Sequence, residues 1–224
     1  MENSSANVVP IRKPSPKSAE KKRELAMHAI SSLAELGFAR INLRDVAQRS
    51  GMSLGVIHYY FESKTELLIC CVSLYKEDFI LGMKDLIAQA REVEKLQTDI
   101  ADYLTNTIDL HAHIHRLWYD VRAQAQFDPA FQSAVADVES ELIDVFRVLL
   151  VKLHELNIDC ANNDPLKLYI TLDGWFRYFL QRKLMNEVDA LVSFRLRILA
   201  EFAEILSKVT TSGTPSMSPQ YVPS

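Results

Sequence analysis

The stretch GMSLGVIHYYFESKTELL, residues 51–68, contains the signals that decide the fold. A segment of roughly two helical turns, residues 54–60, follows Gly51, and Ser53 stands where a side chain can cap a helix N-terminus. The four residues 63–66, Ser-Lys-Thr-Glu, form a capping box that opens a long helix reaching to about residue 90. The stretch therefore predicts a short helix held between two tight stops, followed by a long helix.

Another short helix is predicted directly before this stretch. Asn42 lies three residues before Asp45 and can cap a helix over residues 43–49, which Gly51 separates from the next helix. Upstream, a helix is predicted from about Ser18 to Gly37, because glycine suits the left-handed position after a helix C-terminus. Two short helices joined across a tight turn form a helix-turn-helix. Residues 18–64 are thus predicted to be a three-helix domain of this kind.

The second short helix has a surface that its own packing does not require. Val56, Ile57 and Phe61 are predicted to supply its apolar contacts, which leaves Leu54, Gly55, His58 and Tyr59 facing outward. A glycine inside a helix costs about 1 kcal/mol relative to alanine. Such a residue in so short a helix indicates that another molecule comes close to the backbone, and DNA is the natural candidate.

Residues 25–68 resemble the DNA-binding domain of the TetR family of bacterial repressors. The matching positions are Gly37, Asn42, Gly51, Ser53, Gly55, Tyr60, Phe61, Lys64, Leu67 and Leu68. The sequence departs from the family pattern at His58, where the family usually has tyrosine.

The resemblance implies binding to double-stranded operator DNA. By this resemblance Arg44, Tyr59 and Lys64 would contact phosphates, and His58 would donate to a phosphate over a shorter reach. Ser53, Leu54 and Gly55 would approach base edges. The alternative for Arg44 and Lys64 is that they are solvated surface charges.

Composition and charge agree with a helical protein that has one basic part. The 224 residues include 48% hydrophobic residues and only six glycines, which favours an all-α fold. Residues 1–68 carry ten Lys and Arg against seven Asp and Glu, and the remaining residues carry 15 against 22. The basic N-terminal part can face phosphates, while the rest of the chain is acidic. We expect residues 1–17 to be a disordered basic tail, residues 65–209 to be a larger helical ligand-binding and dimerisation domain, and residues 210–224 to be disordered.

No apolar run approaches the length of a membrane span, and the N-terminus lacks a secretory signal, so we expect a cytoplasmic protein without a membrane partner.

Two helices near the C-terminus are candidates for a homodimer interface. Asp164-Pro165 opens one that breaks near Asn186, and a second covers residues 191–205. A single helix-turn-helix neutralises few phosphates, so operator binding calls for a two-fold dimer. The alternative is that these helices pack only within one protomer.

The middle of the chain is the expected place of an effector site. Helices are predicted over 96–106, 110–126 and 129–156. The run HAHIHRLWYDVRAQAQFDPAF, residues 111–131, and LDGWFR, residues 172–177, resemble the choline-responsive repressors of betaine synthesis, a TetR subgroup. This resemblance implies a small-molecule effector without fixing its identity.

The candidate effector residues are aromatic or charged: Tyr103, Trp118, Tyr119, Arg122, Asp173 and Trp175. The aromatic side chains together with Asp173 or Asp120 would suit a cationic or amphipathic ligand. Arg122 would instead pair with an anionic ligand, so the charge of the effector stays open. The alternative for each aromatic residue is ordinary core packing.

Other chemistry finds little support in the sequence. His111 and His115 share a helix face, but no nearby acid or cysteine completes a metal site, and a solvated or pH-sensitive helix N-terminus is the simpler interpretation. No cofactor motif or catalytic constellation is present, so we expect no enzyme.

The sequence predicts a dimeric repressor released from its operator by a small molecule. The alternative is a ligand-independent or partner-controlled DNA-binding factor.

Overall fold

The computed structural model describes residues 16–36, 42–160 and 162–210, and within these ranges the secondary structure is helical throughout. The helices are α1 Pro16–Leu36, α2 Leu43–Arg49, α3 Leu54–Tyr60, α4 Lys64–Gln89, α5 Val93–Gln124, α6 Pro129–Glu155, α7 Pro165–Leu184 and α8 Ala190–Thr210. The predicted all-α fold is confirmed, with α1–α3 forming the helix-turn-helix domain and α4–α8 the larger one. None of the described helices is long and apolar enough to cross a membrane.

The two short helices begin at the predicted caps. The Asn42 side chain accepts a hydrogen bond from the backbone N–H of Asp45 at 2.8 Å, and the Ser53 hydroxyl oxygen accepts one from Val56 N at 3.2 Å. Each cap satisfies an amide that has no partner within the helix. Gly51 has φ +68°, the left-handed conformation that glycine adopts without strain. These local interactions explain why the bounds of α2 and α3 agree with the prediction.

The longer helices start in the same way. Ser63 Oγ accepts a hydrogen bond from Glu66 N at 3.1 Å, and the Glu66 carboxylate accepts one from the backbone N–H of Glu62 at 2.7 Å. Asp128 caps α6 and Asp164 caps α7, and in both helices proline is the first residue. All three starts were predicted from the sequence.

Two boundaries differ from the prediction. α1 begins at Pro16, so residues 16 and 17 belong to a helix rather than to a tail, and the predicted stop at Gly37 lies outside the described residues. The helices predicted over 96–106 and 110–126 are joined in α5, which is interrupted only at His111 with φ −131° and ψ 24°. The segment between them contains no glycine or proline, so nothing ends the first helix and the chain bends instead of stopping.

The buried side chains form two hydrophobic clusters. The first joins α1–α3 and the start of α4 to the second half of α5 and the first turns of α6, through residues such as Trp118, Val121 and Phe131. The second fills the space among α4, α5, α6, α7 and α8. The helix-turn-helix therefore rests on the larger domain through a shared core.

Candidate functional site

α3 is held in place by its buried stripe and by the turn before it. Ile57 and Phe61 are fully buried, as are Val46 and Ala47 of α2. The backbone N–H of Met52 donates to Ala47 O at 2.9 Å, which closes the turn between the two helices. With one side buried in this way, the opposite side of α3 faces outward.

The outward side of α3 carries the residues that the sequence singled out. Gly55, His58 and Tyr59 are exposed, and Tyr59 is 79% exposed. The Tyr59 ring meets the Tyr60 ring edge to face, with centroids 4.9 Å apart. A Cβ added at Gly55 would meet only Ser53 Oγ, at 3.9 Å, so no packing within the chain requires glycine there.

One prediction about α3 is wrong. Val56 is 40% exposed and does not supply a core contact, while Leu54 is half-buried and packs against the first cluster. Residues 54, 57 and 61 follow the three-to-four spacing of a single helix face, whereas Val56 lies off that face. Val56 thus adds an apolar side chain to the exposed surface beside Gly55.

The remaining predicted DNA contacts surround this surface. Arg44 is exposed at the start of α2, and Ser53 is exposed with its hydroxyl oxygen engaged in the α3 cap. Lys64 is the first residue of α4 and is half-buried, and desolvation lowers its pKa. The surface therefore combines an outward helix face with basic groups at two helix starts.

α4 is bound to α1 by several polar contacts. Lys22 forms an ion pair with Glu66, and Arg23 contacts Glu77 at 2.8 Å. The Cys71 thiol donates to the backbone carbonyl of Ala26 in the buried interface. A displacement of α4 would thus act directly on the helix-turn-helix domain.

A cavity of about 100 Å³ lies within the larger domain. All five helices α4–α8 contribute to its walls, and most of the lining is aliphatic or aromatic. On α4 the lining residues are Lys76, Phe79, Met83 and Ile87. This is the form of a site for a small, largely apolar ligand.

Lys76 marks the polar end of the cavity. It is only 4% exposed, and its Nζ lies 5.0 Å from the centre of the Phe79 ring and 5.3 Å from the Trp118 ring. Among the described residues no carboxylate forms an ion pair with it. Burial lowers the pKa of Lys76 to about 7, against a smaller opposing effect of Asp173.

His115 connects Lys76 to a buried hydrogen-bond network. Its Nδ1 lies 3.4 Å from Lys76 Nζ, and its Nε2 lies 2.9 Å from the Tyr75 hydroxyl and 3.0 Å from the Thr107 hydroxyl. Burial and the neighbouring lysine hold the pKa of His115 well below its usual value, so the ring is neutral.

The interpretation of His115 as part of a solvated helix N-terminus is wrong. The residue is fully buried. It also lies far from the N-terminus of α5, because that helix begins at Val93. His111 remains exposed at the kink. Within the described ranges, no group of three His, Cys, Asp or Glu side chains is arranged to hold a metal ion.

A second polar group joins α5 and α7 at the same end. Asp173 accepts hydrogen bonds from Arg122 at 2.8 Å and from the Tyr119 hydroxyl at 2.9 Å, so both of its carboxylate oxygens have a donor. Arg122 also contacts Glu139 of α6 at 2.8 Å. Burial raises the pKa of the Tyr119 phenol well above its usual value, which keeps it a donor. The negative charge of Asp173 is therefore already compensated.

Comparison with known proteins identifies the helix-turn-helix. Residues 28–70 match the model of the bacterial regulatory proteins of the tetR family. The helix-turn-helix of this chain is therefore similar to the DNA-binding domain of that family. Members of this family regulate transcription and are not enzymes. No curated protein has a sequence significantly similar to this chain.

Solved structures of such regulators share the fold over most of the chain. A TetR transcription regulator from Haloarcula marismortui has a TM-score of 0.67 and 18% identity, covering 84% of this chain and 98% of its own. The regulator FadR from Bacillus subtilis in complex with stearoyl-CoA has a TM-score of 0.63 and 16% identity, covering 82% of this chain and 97% of its own. A regulator from Saccharomonospora viridis in complex with choline has a TM-score of 0.67 and 16% identity, covering 83% of this chain and 96% of its own. Identities this low establish the TetR fold alone.

The structure divides the predicted effector residues into two groups. Trp118, Tyr119 and Asp173 line the cavity, whereas Tyr103, Arg122 and Trp175 do not. Arg122 lies behind the wall as the partner of Asp173.

The other two have structural contacts. The Tyr103 hydroxyl donates to Phe79 O at 2.9 Å and packs against Gly82, and Trp175 Nε1 donates to Glu201 at 2.8 Å.

The sequence analysis missed Lys76. The signal was available, because Val72, Lys76, Ile80, Met83 and Ile87 form a row at spacings of three and four on α4, and the lysine is the only polar residue in that row. A lysine on an otherwise apolar helix face is one of the observations that point to a buried functional group.

α7 and α8 leave rows of apolar side chains exposed. On α7 the exposed row has a spacing of four and consists of Leu166, Ile170, Gly174 and Tyr178. On α8 the corresponding row is Val192, Leu196 and Ala200. A Cβ at Gly174 would meet nothing within 4 Å, so no contact within the protomer needs a glycine there.

Proposed function

We propose that the protein is a homodimeric TetR-type repressor that binds palindromic operator DNA and leaves it when a small molecule enters the central cavity. The observation that carries this proposal is Trp118. Its ring lines the cavity and also belongs to the core cluster that holds α1–α3. A ligand in contact with this residue has a direct physical route to the DNA-binding helices.

The DNA contacts are assigned from exposure and chemistry. Gly55 and Val56 leave α3 low in bulk and apolar on its outer face, which suits close approach to base edges and thymine methyl groups. Tyr59 and His58 supply donors for phosphates on that helix. Arg44 and Lys64 add positive charge on either side. Ser53 and Leu54 lie at the leading edge of α3, beside the bases.

The dimer is assigned to the exposed rows of α7 and α8. Exposed apolar residues in continuous rows on two neighbouring helices mark a protein interface. Gly174 fits this interpretation, because a residue without a side chain lets a partner helix come close. A two-fold axis through these helices would present two α3 helices to a palindromic site.

Effector control is assigned to α4 and α5. Lys76 on α4 and Trp118 on α5 both line the cavity, and α4 is joined to α1 by the Lys22–Glu66 and Arg23–Glu77 pairs. A ligand that favours a different placement of α4 would change the separation of the two α3 helices and weaken operator binding.

A ligand-independent or partner-controlled factor is the second candidate, because the cavity is small. Choline is a specific effector to test, given the resemblance of residues 111–131 and 172–177 to choline-responsive regulators. The aromatic rings of Trp118 and Tyr119 favour it. The compensated charge of Asp173 and the nearby Lys76 oppose it.

The test uses the purified full-length chain and labelled fragments of the DNA upstream of its own gene. We expect protection of a palindrome, with affinity that falls steeply between about 50 mM and about 200 mM salt. Loss of this binding with one metabolite of a panel supports effector control, and binding that resists the whole panel supports the second candidate. Absence of binding to every fragment at low salt would contradict the proposed function.

A further inference from the structure

The position of Lys76 gives the cavity a chemical polarity. Its ammonium group is buried in the lining, with aromatic rings on two sides and the neutral ring of His115 at 3.4 Å. Burying an unpaired ammonium group is costly, and a lowered pKa reduces that cost because the neutral amine becomes more populated. A negatively charged ligand in the cavity would supply the counter-charge that the described protein groups around Lys76 do not.

Neither carboxylate of the lining is placed to be that partner. Asp173 has both oxygens engaged, by Arg122 and by Tyr119. Glu201 of α8 accepts a hydrogen bond from Trp175 Nε1 and is only partly buried. The same two facts argue against a cationic ligand, because neither carboxylate offers an unshared, desolvated negative charge beside the rings.

Most of the remaining lining is apolar, and it extends along α4. On α4 the lining runs from Lys76 to Ile87, a rise of about 16 Å at 1.5 Å per residue. Away from Lys76 most of the lining is aliphatic or aromatic, with residues such as Leu104, Leu149 and Ile198. A ligand that fills this space needs an unbranched apolar part of corresponding length.

We propose that the cavity binds an unbranched aliphatic carboxylate whose head contacts Lys76 Nζ and whose chain runs along α4 towards Ile87. This inference rests on the assignment of the cavity as the effector site. It excludes a quaternary ammonium compound as the preferred ligand. It also makes Lys76 the residue that determines which head group is accepted.

Proton uptake gives the proposal an independent signature. The groups that face Lys76 are His115, Tyr119, Arg122 and Asp173, and in the empty site burial lowers the pKa of the lysine to about 7. A carboxylate beside Nζ raises that pKa again. Binding at about pH 8 should take up about one proton per protomer, and binding at about pH 6 should take up almost none.

The experiment compares three ten-carbon probes on the full-length protein by isothermal titration calorimetry. The probes are decanoate, decan-1-ol and decyltrimethylammonium. We expect decanoate to bind at least roughly tenfold more tightly than either of the others, a difference typical of one desolvated charge contact. Repeating the decanoate titration in buffers of different ionisation enthalpy measures the proton uptake.

Two variants test the residue. Lys76→Met keeps an unbranched side chain that is one atom shorter and removes the buried charge. It should bind decanoate at least roughly tenfold more weakly, with decan-1-ol unchanged and proton uptake lost. Lys76→Gln is the second variant, because it keeps a polar group without the charge, and the same loss is expected. Circular dichroism confirms that each variant is folded.

The outcomes separate this inference from the proposed function. A preference for decyltrimethylammonium, equal binding of all three probes, or decanoate binding unchanged in both folded variants would overturn the inference. Operator binding by the protein without ligand is measured separately. If decanoate binds as expected and no DNA is bound, the carboxylate site stands while the proposed function fails. If DNA is bound and decanoate is not, the reverse holds.

Discussion

Gly55 is exposed on α3, and the packing of the described residues does not require a glycine at this position. Its backbone is exposed in the first turn of α3, and a side chain there would meet only Ser53 Oγ, at 3.9 Å. The glycine lowers helix stability without any packing benefit within the chain. Close approach to DNA is the reason that fits both facts.

We expect Gly55→Leu to leave the fold intact and to reduce operator affinity by about 100-fold, because the added side chain holds α3 away from the base edges. Fluorescence anisotropy with the palindromic fragment measures the affinity, and thermal unfolding checks the fold. The matched control is Ala136→Leu, which places the same leucine side chain at an exposed position of α6. Normal operator binding by Gly55→Leu would show that α3 is not the recognition helix.

Lys64 is the second single residue with a testable role, and its proposed contact with a phosphate depends on charge alone. We expect Lys64→Ala to weaken binding to all DNA sequences about equally and to reduce the slope of log K against log salt by about 0.9 per protomer, since one phosphate contact is lost. Lys95→Ala is the control, because Lys95 is an exposed lysine of α5 paired with Asp99. An unchanged salt slope in Lys64→Ala would remove Lys64 from the DNA contacts.

At the scale of helices, the capping residues and the kink in α5 show the limits of local signals. The starts of α2, α3, α4, α6 and α7 follow from side chains that bond to amides two or three residues away. Local signals do not explain why the two predicted helices are joined at His111. The backbone of this residue is not helical, and no glycine or proline marks the bend. A bend of this kind depends on what packs against each half of the helix.

α8 carries the prediction for the dimer. Leu196 is 60% exposed in the row that includes Val192, and a buried carboxylate there would lack a partner. We expect Leu196→Glu to be monomeric at concentrations where the unmodified protein is dimeric, as measured by sedimentation velocity. Val151→Glu is the control, since Val151 of α6 is also 60% exposed. A dimer that survives Leu196→Glu and dissociates with Val151→Glu would place the interface on α6.

For the whole molecule, Lys76 couples global stability to pH. Its pKa is about 7 in the folded state and near 10.4 in an unfolded chain, so the unfolded state binds more protons between these values and stability rises with pH. We expect the free energy of unfolding of the native chain to gain about 2 kcal/mol more than that of Lys76→Met between about pH 7 and about pH 9.

Urea unfolding at equal protein concentration measures this difference. The Lys76→Met protein is its own control, because all other titrating groups are common to both proteins and cancel. Parallel pH profiles for the two proteins would mean that Lys76 keeps a normal pKa and is not buried as described.

The sequence alone determined the helix-turn-helix and the helix starts, because each depends on caps, turn glycines and spacing within a few residues. The residues proposed to contact DNA remain a prediction. Of the six effector residues that it predicted, three, Trp118, Tyr119 and Asp173, line the cavity, and the other three do not.

Only the tertiary structure decided the role of the charges. It paired Asp173 with Arg122, buried His115, and left Lys76 in an apolar wall. The physical reason is that burial and charge compensation depend on side chains from α4, α5 and α7 meeting in space, and periodicity along one helix carries no information about which partner the other helices supply.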